Sequence, residues 1–132
     1  MLESQLIESP EGFRQDEHQS LGVLVLQPKG ALQMEDFVKL AEKVDHYLLN
    51  HERLHSVVIH SKDFPGWTNF SALLSHLRFV RQHHEKVEKI ALVTDTALAD
   101  AAKVILEHFI KAELKHFAYS DYSNALAWAQ QR

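Results

Sequence analysis

His51-Glu52-Arg53-Leu54-His55 matches the H-E-x-x-H pattern of zinc peptidases. That chemistry requires a helix. The two histidines then lie one turn apart on one face and bind the metal, and the glutamate serves as general base. The surrounding sequence withholds the helix. The periodic segment that starts at Met34 reaches a natural stop at Asn50, and Leu54 to Ile59 reads as a strand, which draws His55 away from His51. No downstream segment offers a recognisable third ligand. His83-His84-Glu85 is a second cluster, but adjacent helical residues diverge by about 100° and do not chelate one ion. Asp63 follows a strand's carboxyl end, where open α/β sheets place ligand groups; without an acid–base partner it reads as a turn residue. G-x-S-x-G, the P-loop and G-x-G-x-x-G are all absent. The sequence therefore predicts a protein that is not an enzyme, with no cofactor and no metal.

Composition narrows the class. The chain has 132 residues, 14 of them Lys or Arg and 18 Asp or Glu, with a formal net charge of -4. That length suits one domain over residues 1–132, which buries roughly two-thirds of its unfolded surface. With no cysteine, disulfides, thiolate metal sites and cysteine nucleophiles are excluded. No Lys/Arg-rich run is present, so no nucleic-acid partner is expected. The first residues lack the apolar core of a secretory signal. No apolar run approaches the ~20 residues of a transmembrane segment. The expected location is cytoplasmic. Ten histidines make the net charge less negative as pH falls toward about 6.

Strands alternate with helices. Leu21–Gln27 is an apolar run closed by the turn Pro28-Lys29-Gly30. An earlier strand lies near Leu2–Ser9 or around Gly12–Asp16. Met34–Asn50 repeats apolar residues at helical spacing. Leu54–His60 is a strand, Trp67–His84 a second helix, and Lys89–Asp95 a continuous apolar strand of the kind buried on both faces. Ala97–Lys111 is a third helix, Glu113–Tyr119 a strand, and Ser120 or Asp121 caps a last helix through Gln130. Alternation of this kind implies parallel strands joined by right-handed crossovers. The first strands have no helix between them, so one pairs antiparallel at an edge. The expected fold is a single α/β domain with a mixed, mostly parallel sheet of about five strands and about four helices.

The apolar faces suggest where a partner could sit. In the second helix Trp67, Phe70, Leu73, Leu74, Leu77 and Val80 share about 140° of arc, a core-facing stripe. Phe79 falls off it, roughly beside Ala72 and Thr68; it is either packed under a neighbouring element or exposed, and in the second case these three form a partner surface. The third helix is apolar over about 180°, more than packing on a sheet requires. A neighbouring helix, a second subunit in a homodimer, an apolar molecule or a lipid surface would cover the surplus. The loop Asp63-Phe64-Pro65-Gly66-Trp67 is unusual in holding two large aromatics around a turn. It reads either as a hydrophobic clip at a helix entrance or as a movable rim in which Gly66 permits the swing.

Several stretches together resemble the SpoIIAA-like proteins, a bacterial family with the fold of STAS domains (sulphate transporter and anti-sigma-factor antagonist). They are KGALQMEDF after the second strand, DFPGW before the second helix, KIALVTD in the central strand, and HFAYSDYSNALAWA at the end. The resemblance runs from about Leu21 to Ala129. It implies a five-stranded sheet with helices packed against it, a fold also similar to CRAL-TRIO lipid-carrier domains, which hold an apolar ligand between sheet and helices. It further implies binding of apolar ligands or contact with membranes. Two departures stand out. Gly66-Trp67-Thr68-Asn69-Phe70 occupies the place of the Asp-Ser-Ser-Gly-like phosphorylation motif of anti-sigma-factor antagonists, leaving Thr68 as the nearest hydroxyl. Gln33 stands where relatives commonly carry a capping Thr.

The leading expectation is a non-enzymatic binding domain for an apolar or amphipathic small molecule or lipid, with reversible association at the inner membrane surface. Phe64, Trp67, Phe70 and Leu74, around Pro65 and Gly66, would form its gate and wall. Leu98, Ala102, Ile105 and Phe109 would form the opposing wall. The alternative is a protein–protein regulatory module of the STAS type that lacks the usual phosphorylatable Ser.

Overall fold

A computed structural model of the chain describes residues 2–8, 22–63, 66, 68, 70–95 and 111–131, and the side chains of all of these except 8, 70, 71, 73 and 74. Five strands, β1 (Leu2–Glu8), β2 (Gly22–Pro28), β3 (Leu54–His60), β4 (Val87–Val93) and β5 (Glu113–Phe117), form one sheet in the order β1-β2-β3-β4-β5. β1 is antiparallel to β2, and the remaining neighbours are parallel. The α-helices among the described residues are α1 (Met34–Leu48), α2 (Phe70–His83) and α3 (Tyr122–Ala129). The strand expected near the N-terminus is β1; its alternative, Gly12–Asp16, lies outside the described residues. So does the helix expected over Ala97–Lys111, except Lys111, which is not helical.

Helices cover both faces, so the strands read as unbroken apolar runs rather than alternating ones. On one face Val23, Val25, Val58, Ala91, Val93 and Phe117 pack with Ala125 and Ala129 of α3. On the other, Leu24, Leu26, Leu54 and Val87 pack with Leu40, Val44 and Tyr47 of α1. α1 starts at its expected residue. The absent Thr at its cap is offset by Asp36, whose Oδ2 accepts the Gln33 N–H at 2.8 Å, placing an acceptor and a negative charge where a helix start favours both. α1 stops at Leu48, two residues early, because the Leu49 and Asn50 N–H groups bond back to His46 and Tyr47 at 3.2 Å, a tightened last turn.

α2 differs from its expected phase. It starts at Phe70, three residues after Trp67; among its described side chains Ala72 and His83 are buried, and the partly buried Phe79 packs against the core. Leu77, assigned to the core stripe by periodicity, is 57% exposed. Ala72, His76, Phe79 and His83 fall within about 60° of arc at 100° per residue, and this is the face that meets α1. Phe37 stacks on His76 with centroids 4.7 Å apart and lies 6.4 Å from Phe79. Phe79 in turn stacks on His83 at 4.4 Å. His83 donates from Nδ1 to the Phe79 carbonyl at 2.8 Å and meets the Asp45 carboxylate through Nε2 at 3.0 Å. The histidines act here as flat rings that close the α1–α2 seam, a role a hydropathy count assigns to aliphatic residues.

α3 is held by the sheet beneath it. Ala125 and Ala129 are fully buried and let the helix lie close. Its last carbonyls then find side-chain donors: Ser56 Oγ donates to the Ala129 carbonyl at 2.7 Å, Lys89 Nζ to those of Trp128 and Gln131 at 3.1 Å each, and the His55 ring bonds the Gln131 carbonyl.

Two outcomes follow from this packing. A Cβ at Gly22 would stand 2.3 Å from Tyr47 Oη and 2.7 Å from its Cζ, so Gly22→Ala should cost about 1–3 kcal/mol in urea unfolding; a change under about 0.5 kcal/mol would show that Tyr47 moves aside freely. Burial lowers the pKa of His76 from its ordinary value. The unfolded chain then binds more protons than the folded one just below pH ~6.5, so stability should fall as pH drops through that value. His76→Phe, which keeps a flat ring, should flatten this part of the pH–stability curve; an unchanged slope would contradict it.

Candidate functional site

The carboxyl ends of the parallel strands are where an open α/β sheet offers ligand groups, and here they are tightly tied. Ser61 N–H bonds the Val93 carbonyl at 3.0 Å, Asp95 N–H the Lys62 carbonyl at 2.9 Å, and Thr94 N–H the Phe117 carbonyl at 3.0 Å. Thr94 Oγ1 adds a bond to the Lys62 carbonyl at 3.1 Å. Asp95 Oδ1 accepts the Tyr119 N–H at 2.9 Å, which joins the turn before α3 to the same platform. Asp63 is exposed, and its carbonyl accepts from Ser61 Oγ at 2.9 Å, a turn residue as its isolation in the sequence implies.

The loop that leaves β3 is caught again before α2. Leu32 N–H donates to the Gly66 carbonyl, and Thr68 N–H donates to the Leu32 carbonyl, both at 2.8 Å. Gly66 has φ +80°, a left-handed conformation that favours glycine. The Gly66 carbonyl is bonded to the β2–α1 connection, and the positive φ serves the turn. This clamp ties Gly66 and Thr68 to Leu32, just before the start of α1. There Met34 is 45% exposed and Val38, one turn on, 53% exposed. Leu77 of α2, 57% exposed, follows His76, which stacks on Phe37 across the seam. Exposed apolar side chains thus stand on both helices of the α1–α2 pair, and Leu49, just past the end of α1, is 77% exposed.

The other expected site residues fall as follows. Phe64, Pro65, Trp67, Leu98, Ala102, Ile105 and Phe109 lie outside the described residues. Phe70 and Leu74 are in α2, their side chains outside the description. Of the expected partner surface, only Thr68 is exposed. Ala72 is fully buried, and Phe79 packs against Phe37 and the core, so Phe79 takes the first of its two expected placements, under a neighbouring element, and the partner surface is not formed. The H-E-x-x-H residues are not on a helix. His51 stacks on Tyr47 at 4.0 Å and donates from Nδ1 to its carbonyl at 3.0 Å, while His55 is buried on β3. Among the described residues no three His, Asp or Glu side chains are grouped to hold a metal ion.

One cluster was not foreseen. His60, at the end of β3, stacks with Tyr119 at 4.6 Å and Tyr122 at 4.2 Å, and its Nδ1 accepts from Gln27 Nε2 at 3.2 Å. Desolvation by these neighbours, then the positive charge of Lys29, lowers its pKa. The signal was available: Ser56, Val58 and His60 alternate onto one face of β3, the face under the small residues of α3.

No functionally curated protein matches the chain. Among solved structures, an uncharacterized protein with a SpoIIAA-like fold from Shewanella loihica PV-4 aligns over 98% of this chain and 95% of its own, with a TM-score of 0.71 and 18% sequence identity. That likeness is one of fold, and it matches the mixed five-stranded sheet and helical layers described above. The SpoIIAA-like family model matches residues 23–130, from the second residue of β2 to one residue past α3, and the chain accordingly belongs to the SpoIIAA-like family.

Proposed function

We propose that the chain is a non-catalytic binding domain that makes reversible contact with an apolar or amphipathic molecule, a lipid surface in the first instance. The contact face is the exposed aliphatic surface of α1 and α2. The observation that carries this reading is the exposure of Met34, Val38 and Leu77 on two helices that pack together. Exposed aliphatics on neighbouring helices offer the apolar area that a contact surface requires. No helix among the described residues is long and apolar enough to cross a membrane, so association would be peripheral. With a net charge of -4, attraction to anionic lipid is unfavourable, and apolar burial must supply the affinity. The alternative regulatory module loses its best feature with Ala72 and Phe79 inside.

Burying three half-exposed side chains contributes a few kcal/mol at about 25 cal/mol per Å². In sedimentation with phosphatidylcholine vesicles, the wild-type chain should partition reversibly and with little dependence on salt. The double substitution Val38→Glu, Leu77→Glu should lower partitioning about tenfold or more, equivalent to about 1.4 kcal/mol, and leave the melting temperature within a few degrees. Equal partitioning of the two proteins would refute the reading.

A further inference from the structure

The α3 side of the sheet is unevenly covered. α3 has eight residues and packs over β3 and β4. Beside it, over β1 and β2, lies a hollow of about 420 Å³ lined by Glu3, Ser4, Gln5, Val25, Gln27 and Tyr122. This volume falls within the roughly 300–1,000 Å³ of small-molecule sites. The strand register explains the lining. Glu3 pairs with Gln27 and Gln5 with Val25, so their side chains share the α3 face. The hydroxyl and carbonyl of Ser4 are already taken by Lys43 Nζ, at 2.9 and 3.0 Å.

The chemistry of this hollow is selective. The amides of Gln5 and Gln27 both donate and accept, and the Glu3 carboxylate accepts. Lys29 Nζ lies 3.9 Å from Glu3, so the rim carries one charge of each sign and favours neither an anion nor a cation. Val25 and the ring of Tyr122 supply an apolar wall. Gln27 is held by its bond to His60 Nδ1, and Tyr122 by stacking on the same ring. The neutral imidazole keeps its own proton on Nε2, and the two lining side chains are thereby fixed in place before any ligand arrives.

We infer that this hollow is a binding site for an uncharged polyhydroxylated molecule, a sugar or cyclic polyol, whose hydroxyls bond Glu3, Gln5 and Gln27 and whose C–H face rests on Val25 and Tyr122. Hydroxyl groups fit the mixed lining because each can donate to the carboxylate and accept from an amide. The site lies on the opposite side of the sheet from α1 and α2, so it stands or falls independently of the lipid-contact face.

The test is a titration of the full-length, nitrogen-15-labelled chain with D-glucose, D-ribose and myo-inositol, followed by two-dimensional NMR. At least one probe should shift the side-chain amide signals of Gln5 and Gln27 along a saturable curve with an affinity near ~1 mM. Gln27→Leu should weaken that binding about tenfold or more. Gln5→Leu, at an exposed position, is the second variant if Gln27→Leu alters the folded spectrum, and it should weaken binding likewise. Shifts that never saturate with any probe, or saturable binding that the folded variants leave unchanged, would overturn the inference.

Discussion

The terminal carbonyls of α3 are the point on which the α3 side of the molecule depends. An eight-residue helix is too short to persist alone in water, and every helix end leaves carbonyls without intrahelical partners. Here the sheet supplies the donors. Ser56, with 0% exposure, gives its hydroxyl proton to Ala129, and Lys89 and His55 serve the residues around it. Each such bond contributes about 1 kcal/mol net, while a buried acceptor left without a donor costs about 1–3 kcal/mol. The polar residues on an otherwise apolar strand face therefore define where α3 sits and in what register. Once it is seated, Tyr122 meets His60, and Trp128 lies with its ring 4.8 Å from Lys89 Nζ.

The opposite side depends on a different device. α1 and α2 meet through alternating benzyl and imidazole rings, Phe37, His76, Phe79 and His83, ended by the Asp45 carboxylate. Because these rings fill the seam, the aliphatic residues next to them in sequence, Val38 and Leu77, are turned outward. The exposed apolar face and the buried histidines are thus two aspects of one choice of helix phase. The bonds of Leu32 to Gly66 and Thr68 then tie the approach to α2 to the start of α1.

Much of the fold was legible because strands buried on both faces announce themselves. Leu54–His60 was read with its observed limits, and the other parallel strands to within two residues. The phase of α2 was not legible. Its aliphatic residues outline one stripe, and only the partner rings on α1 reveal that histidine belongs in the contact. The tie between Gly66 and the β2–α1 connection also needed three dimensions, since its bond partner Leu32 lies more than thirty residues earlier. The H-E-x-x-H match dissolved for a reason already visible in the sequence, the strand that begins at Leu54. The His60 cluster was legible only in part: alternation along β3 puts His60 on the α3 face, but Gln27 and Tyr122 come from β2 and α3 and converge on it only when the sheet is ordered.

Whether the apolar contact is external or enclosed is tested most directly by native mass spectrometry of the protein purified from its own host, followed by organic extraction. A domain that binds lipid reversibly at the α1–α2 face should fly as the bare chain, with no apolar compound in the extract at stoichiometric amount. A lipid or fatty acid retained one per chain through purification would contradict this, and would mean that the protein encloses its ligand.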